Sequence, residues 1–277
     1  MTTLNPPIRE VDAADPRRRE RALDDLRQGF GRWRLAWALA RGDLKHRYRG
    51  SILGPIWLTI STAAMLFGLG FLYARLFQMD ITEYLPWLAV SLIVWNMFFQ
   101  IVVDSCGSLT SAEGVIRQLP LPYSVHVLRG LFNSVLVAAH NLPLIFIVFW
   151  LFGQPPQWTW LLVIPALALL AVAGFAAAIF LGMISARFRD IPPIATSFMQ
   201  LAFFMSPVIW KPELLGSAAR WLPLNPFFSM MEILRAPLLG TTGGPWVWVV
   251  AILSTAALVA AASALFVRFR ARIAFWV

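Results

Sequence analysis

Lysine occurs only twice in this chain, at Lys45 and Lys211, and neither residue sits in the Gly-x-x-x-x-Gly-Lys-Ser/Thr frame that cradles nucleotide phosphates. The usual nucleotide-binding loop is therefore excluded. Cysteine occurs once, at Cys106, which rules out an internal disulfide and a multi-thiolate metal site. His46, His126 and His140 are too scattered to form a recognisable metal motif. Charge is scarce as well: 13% of the 277 residues are charged, against about 25% in soluble domains. No pair of acids falls inside the apolar runs, and membrane enzymes acting on phosphate or glycosyl groups need such acids or a metal. Neither a catalytic activity nor a cofactor bound by this chain is expected. An apolar signal core is also missing, since residues 1–32 are polar and rich in Pro, Arg and Asp.

What the chain does contain is hydrocarbon. Hydrophobic residues make up 59% of it, in runs longer than a soluble core helix requires. A crossing needs about 20 mostly apolar residues. Six stretches qualify: Leu53–Leu76, Leu85–Val103, Val125–Phe152, Trp158–Ser185, Pro192–Trp210 and Pro245–Val267. The net charge of +9 would suggest nucleic acid if it were spread evenly, but it is not. Of 23 Lys and Arg, 12 lie in residues 1–50, and seven more are Arg117, Arg129, Arg187, Arg189, Arg268, Arg270 and Arg272. Those seven fall in every second connection and in the tail, whereas the alternate connections hold Asp80 and Glu83, or no charge at all in 153–157. Cations stay on the cytoplasmic side of a membrane. The expectation is an all-α integral membrane protein with six transmembrane helices, both termini cytoplasmic and no nucleic-acid partner.

The stretch Arg41–Trp57 orients this layout. Arg41, Lys45, Arg47 and Arg49 precede Gly54-Pro55-Ile56-Trp57, and proline suits the first turn of a helix. Upstream, Trp33, Trp37, Leu44 and Tyr48 gather broadly on one side of a helix, with the cations on another. Residues 33–52 therefore read as an amphipathic interfacial helix on membrane lipid, or as an ordinary helix docked on a partner. Residues 1–32 read as a mobile cytoplasmic arm. In the connection 108–129, a short amphipathic helix stopped by Pro120 and Pro122 accounts for Leu109, Glu113, Ile116, Arg117 and Leu119. Residues 211–244 are too long for a turn and too apolar for a solvated loop, and are broken by Pro212, Pro223, Pro226 and Pro237. Two short half-inserted helices hinged near Pro223-Leu224-Asn225-Pro226 fit them. Such backbone survives at membrane depth only when buried in protein or lining a cavity.

Polar groups inside the spans need partners. Asn96, Gln100 and Asp104 share one face of the second span, and Asn133, His140 and Asn141 one side of the third. They serve either interhelical hydrogen bonds or a hydrophilic path. Gly174, Ala178 and Gly182 form a small-residue stripe suited to close helix packing.

Four stretches, in this order and at these places, carry a resemblance. They are Arg47-Tyr48-Arg49-Gly50-Ser51-Ile52-Leu53-Gly54-Pro55-Ile56-Trp57, Ala186-Arg187-Phe188-Arg189-Asp190-Ile191, Phe204-Met205-Ser206-Pro207-Val208-Ile209-Trp210, and Leu224-Asn225-Pro226-Phe227 continuing to Arg235-Ala236-Pro237-Leu238-Leu239-Gly240. From about Trp33 to Val277 the chain resembles the membrane subunit of type-2 ABC exporters of polysaccharides such as O-antigen, capsule and teichoic acid. The resemblance implies a homodimer in the bacterial inner membrane, two separate ATP-binding subunits carrying ATP and Mg, and a polysaccharide or lipid-linked glycan as cargo. It implies ATPase coupling through Arg41, Lys45, Arg47, Arg49, Glu113, Ile116, Arg117 and Leu119. It also implies a channel and exit gate built with Asn96, Gln100, Trp210, Trp221, Asn225, Phe227 and Phe228. A type-2 permease for small amphipathic molecules and a membrane-embedded transferase on lipid-linked sugars are the competing readings.

Overall fold

The computed structural model describes residues 17–277, and among them every regular element is a helix. Five helical stretches are long and apolar enough to cross a membrane: Ile56–Leu76, Ile81–Gly107, Tyr123–Leu151, Trp158–Arg187 and Pro245–Trp276. Of these, α3 (Ile56–Leu76), α4 (Ile81–Gly107) and α6 (Tyr123–Leu151) are single helices. In the other two, α7 (Val163–Arg187) follows a 3-10 turn, and α10 (Pro245–Phe269) ends in a short α11 (Ile273–Trp276).

The fifth expected crossing differs in length. Its helix, α8, covers only Ile191–Met205, about 22 Å at 1.5 Å per residue, not the whole of Pro192–Trp210. The cause is Pro207, because a residue before proline is pushed out of the helical region. Ser206 accordingly adopts φ −103°, ψ 144°.

Helix α4 is the axis of the bundle. Every residue from Tyr84 to Trp95 is buried, as befits a helix that is apolar on all sides. Asp80 caps its N-terminus, accepting from the Thr82 amide at 2.9 Å; this bond and one from the Thr82 hydroxyl hold its carboxyl below the usual range. The small-residue stripe of α7 packs where expected. A Cβ on Gly182 would lie 2.2 Å from Ser108 Oγ, and one on Gly174 would meet Leu131 at 3.0 Å. Ser108 Oγ also donates to the Ala178 carbonyl at 3.1 Å.

The helix before the first span, α2 (Trp33–Arg47), lies against α6 rather than floating free. Ala36, Ala40 and Leu44, spaced four apart, form its buried face. Trp37 meets Phe132 edge-on at 5.4 Å, and Arg129 grips Asp43 with two nitrogens. Part of the expected mobile arm is likewise ordered: Arg18–Gly31 is a helix, α1. Its buried Asp25 accepts from the backbone amides of Tyr123 and Ser124 and from Ser124 Oγ, and pairs with Arg270 at 2.7 Å. These amides are the unpartnered donors at the start of α6, so a carboxylate from another helix supplies the cap. The expectation for residues 1–16 lies outside the described residues.

Candidate functional site

Two regions at opposite ends of the bundle gather the residues singled out from the sequence. At one end stand the cations. Arg41, Lys45 and Arg49 are exposed. Arg41, Lys45, Tyr48 and Pro55 border a recess of about 360 Å³ between α2 and α6. Arg47 lies 3.9 Å from Asp104 at the foot of α4. Asp104 in turn accepts from Asn133 Nδ2 at 2.9 Å and Ser134 Oγ at 2.8 Å. Of the two polar faces noted above, Asp104 and Asn133 thus meet across α4 and α6. Asn96 and Gln100, higher on α4, are half-buried.

Helix α5 (Glu113–Gln118) occupies the expected connection at this same end. Glu113 pairs with Arg117 at 2.8 Å, and Arg117 donates to the Val277 carbonyl at 2.8 Å. Ile116 turns inward, packing on a cluster that includes Leu109, Ile179, Met183 and Ile273. Leu119 faces outward and is 54% exposed. Leu119, not Ile116, is the apolar side chain available to another protein.

The opposite end carries the proline-broken segment. Residues Pro212–Leu224 form 3-10 turns interrupted at Gly216, whose φ of 54° no ordinary side chain favours. Asn225 then caps α9 (Pro226–Leu238): its Oδ1 accepts from the Phe227 amide at 2.9 Å while its Nδ2 donates to Ser206 Oγ at 3.1 Å. The chain thus turns at 223–226, between the 3-10 turns and α9, where a hinge was expected.

Its side chains divide by role. Trp221 is 61% exposed, with Arg220 over its ring at 5.3 Å. Trp210 is half-buried and donates to the Phe204 carbonyl at 3.3 Å. Phe227 joins an aromatic cluster, 5.9 Å from both Trp95 and Phe198. Phe228 is buried in the main core, so it is not exposed to any cargo in this conformation.

The residue that fastens this end was not among the expected site residues. Arg235 of α9 is 1% exposed. Its Nε and Nη2 bind Glu232, and its Nη1 donates to Ser91 Oγ at 2.9 Å and to the Pro207 carbonyl at 2.8 Å. Its guanidinium also lies 4.6 Å from the Trp87 ring. One side chain thus joins α9, α4 and the break after α8. Further ties come from Thr159 to the Pro237 carbonyl, Trp160 to the Leu238 carbonyl, and Tyr84 to the Ile209 carbonyl. The sequence signal was an acid and a base three apart inside an apolar run, a pattern that rarely occurs unpaired. Among the described residues no group of His, Cys, Asp and Glu is arranged to hold a metal.

The family profile described as "ABC-2 type transporter" matches residues 34–239. The chain belongs to this family. The matched segment runs from the cationic α2 to the end of α9, so both regions lie within it. Members of this kind are membrane transport subunits rather than enzymes. The chain is also 24% identical over 199 residues to "O-antigen export system permease protein RfbA" of Klebsiella pneumoniae, covering 71% of this chain and 77% of the relative. A protein of the same description from Myxococcus xanthus is 26% identical over 210 residues, covering 73% and 79%.

Proposed function

We propose that this ABC-2 protein is the membrane subunit of an ATP-driven exporter that moves a polysaccharide or lipid-linked glycan, of O-antigen type, across the bacterial inner membrane. The observation that carries the reading is the difference between the two ends of the bundle. One end presents exposed cations and two short helices; the other is covered by a hairpin locked through Arg235. The cationic end faces the cytoplasm by the positive-inside rule, with six crossings if α8 is counted. There α2 and α5 meet the ATP-binding subunits, through Arg41, Lys45 and Leu119. Two copies enclose the channel, and the 212–238 hairpin roofs its exit. ATP and Mg reside on the partner subunits.

The cargo assignment draws on the relatives named above. It agrees with the exposed ring of Trp221 and the half-buried rings of Trp210 and Phe203 at the hairpin end, since ring faces suit the C–H faces of sugars. The test is reconstitution with the ATP-binding subunit in proteoliposomes supplied with a lipid-linked O-antigen on the ATP side. ATP-dependent appearance of glycan on the far side, read with a lectin, is the expected result. ATP-driven loss of an amphipathic dye without glycan movement would instead establish the small-molecule reading. Glycosyl transfer by the chain alone would establish the transferase.

A further inference from the structure

Helix α8 stands away from α10, and between them runs an apolar groove of about 560 Å³. Helices α4 and α7 form its floor, and the start of α9 closes its far end. Ile101, Leu170, Leu181, Phe198, Phe227 and Leu258 represent the lining. The α7 residues that line it extend from Leu170 to Ile184, a length of about 21 Å at 1.5 Å per residue. Its two hydroxyls spend their protons within α10, since Ser254 and Thr255 both donate to the Ala251 carbonyl, at 3.1 and 2.8 Å. Water needs two to four polar partners to occupy a cavity, and the groove's side chains offer only the lone pairs of these two hydroxyls.

An apolar cavity of about 150 Å³ already takes up benzene, so this groove holds several times that much hydrocarbon. Left empty, it would forfeit the dispersion contacts of its whole lining. At one end the lining reaches Ile184 and Ile191. Between them lies the α7–α8 corner, where Arg187, Arg189 and Asp190 are all exposed. Two cations face one acid there, which favours an anionic headgroup at the level of the cationic end of the bundle.

We infer that the groove is a binding site for one acyl chain of an anionic bilayer phospholipid, whose phosphate sits against the Arg187–Arg189 corner. The lipid is a resident of the fold and separate from any cargo. The full chain in nanodiscs containing phosphatidylglycerol with a photoactivatable acyl chain tests this, with crosslinked residues located by mass spectrometry. Labels should concentrate on Leu181, Ile184, Ile194 and Phe198. Ala177→Phe and Ala195→Phe fill the groove from its floor and from one wall, and each should lower this labelling about tenfold, equivalent to about 1.4 kcal/mol. Either variant suffices if the other fails to fold. The matching phosphatidylcholine probe should label less, and Arg189→Glu should erase the difference.

Labelling spread evenly over the lipid-facing surface would overturn the proposal, as would equal labelling by the two headgroups. Displacement of the probe by a lipid-linked glycan would reassign the groove to cargo. A disulfide between two copies through Ala177→Cys in a Cys106→Ser background would reassign it to a second copy.

Discussion

Removing the Arg235 guanidinium would leave Glu232, Ser91 Oγ and the Pro207 carbonyl without their shared donor. Breaking a buried ion pair by deleting one partner costs about 3–5 kcal/mol, so Arg235→Ala should lower the thermal midpoint of the purified chain steeply. Arg235→Met combined with Glu232→Gln should recover much of that loss, because replacing both charges leaves no unpaired one. A double variant no more stable than Arg235→Ala would show that the packing on Trp87, not the charge pair, holds the helix. Arg235 shows where reading residues from sequence stops short. The 232–235 spacing was visible, but its partners lie 144 and 28 positions away, on α4 and beyond α8. Asn225 carried a more local signal, since Asn before Pro-Phe suits a helix cap, although from sequence alone it stood only at a hinge and in an implied gate.

At the level of single elements, docking of α1 rests on close approach as well as on Asp25. A Cβ at Gly29 would lie 1.9 Å from Ser124 Oγ, so Gly29→Val should lift α1 from α6. Limited proteolysis would then cut within 18–31 in the variant and spare the parent. Equal resistance would mean that Asp25 alone suffices. For α5, the opposed directions of Ile116 within it and Leu119 just past its end separate folding from coupling. Ile116→Asp places a carboxylate in a packed cluster and should destabilise the fold by several kcal/mol. Leu119→Asp should leave stability unchanged and abolish stimulation of the partner's ATPase by the membrane subunit. Stimulation unaffected by Leu119→Asp would move the contact elsewhere. Helices α5 and α9 were legible because prolines stop the first and bracket the second. Helix α1 was not, because its sequence is polar and what orders it, the Asp25 carboxylate and the close approach at Gly29, lies against the start of another helix.

For the whole molecule, the arrangement of ends predicts an accessibility pattern. In a Cys106→Ser background, cysteines at Asp80, Gln154 and Ser217 should react with an impermeant maleimide in intact cells. Cysteines at Arg117 and Asp190 should react only after permeabilisation. Reaction of the Arg117 site from outside would invert or break the layout. The long spans and the charge alternation were plain in the sequence, because hydrocarbon length and cation placement are additive properties of a segment. The length of α8 was not, because the hydropathy of 192–210 runs through Ser206-Pro207 without marking that the helix stops there. The lipid-facing helices α3 and α10 have 21 and 25 residues where α8 has 15, about 32 and 38 Å against 22 Å. The perimeter of the bundle therefore has unequal hydrophobic thickness, with a thin flank at α8. Hydrocarbon about 30 Å thick must thin to meet it, at a fraction of a kcal/mol for each ångström. The membrane is thus most deformed beside the one helix that hands the chain directly to the hairpin at the far end.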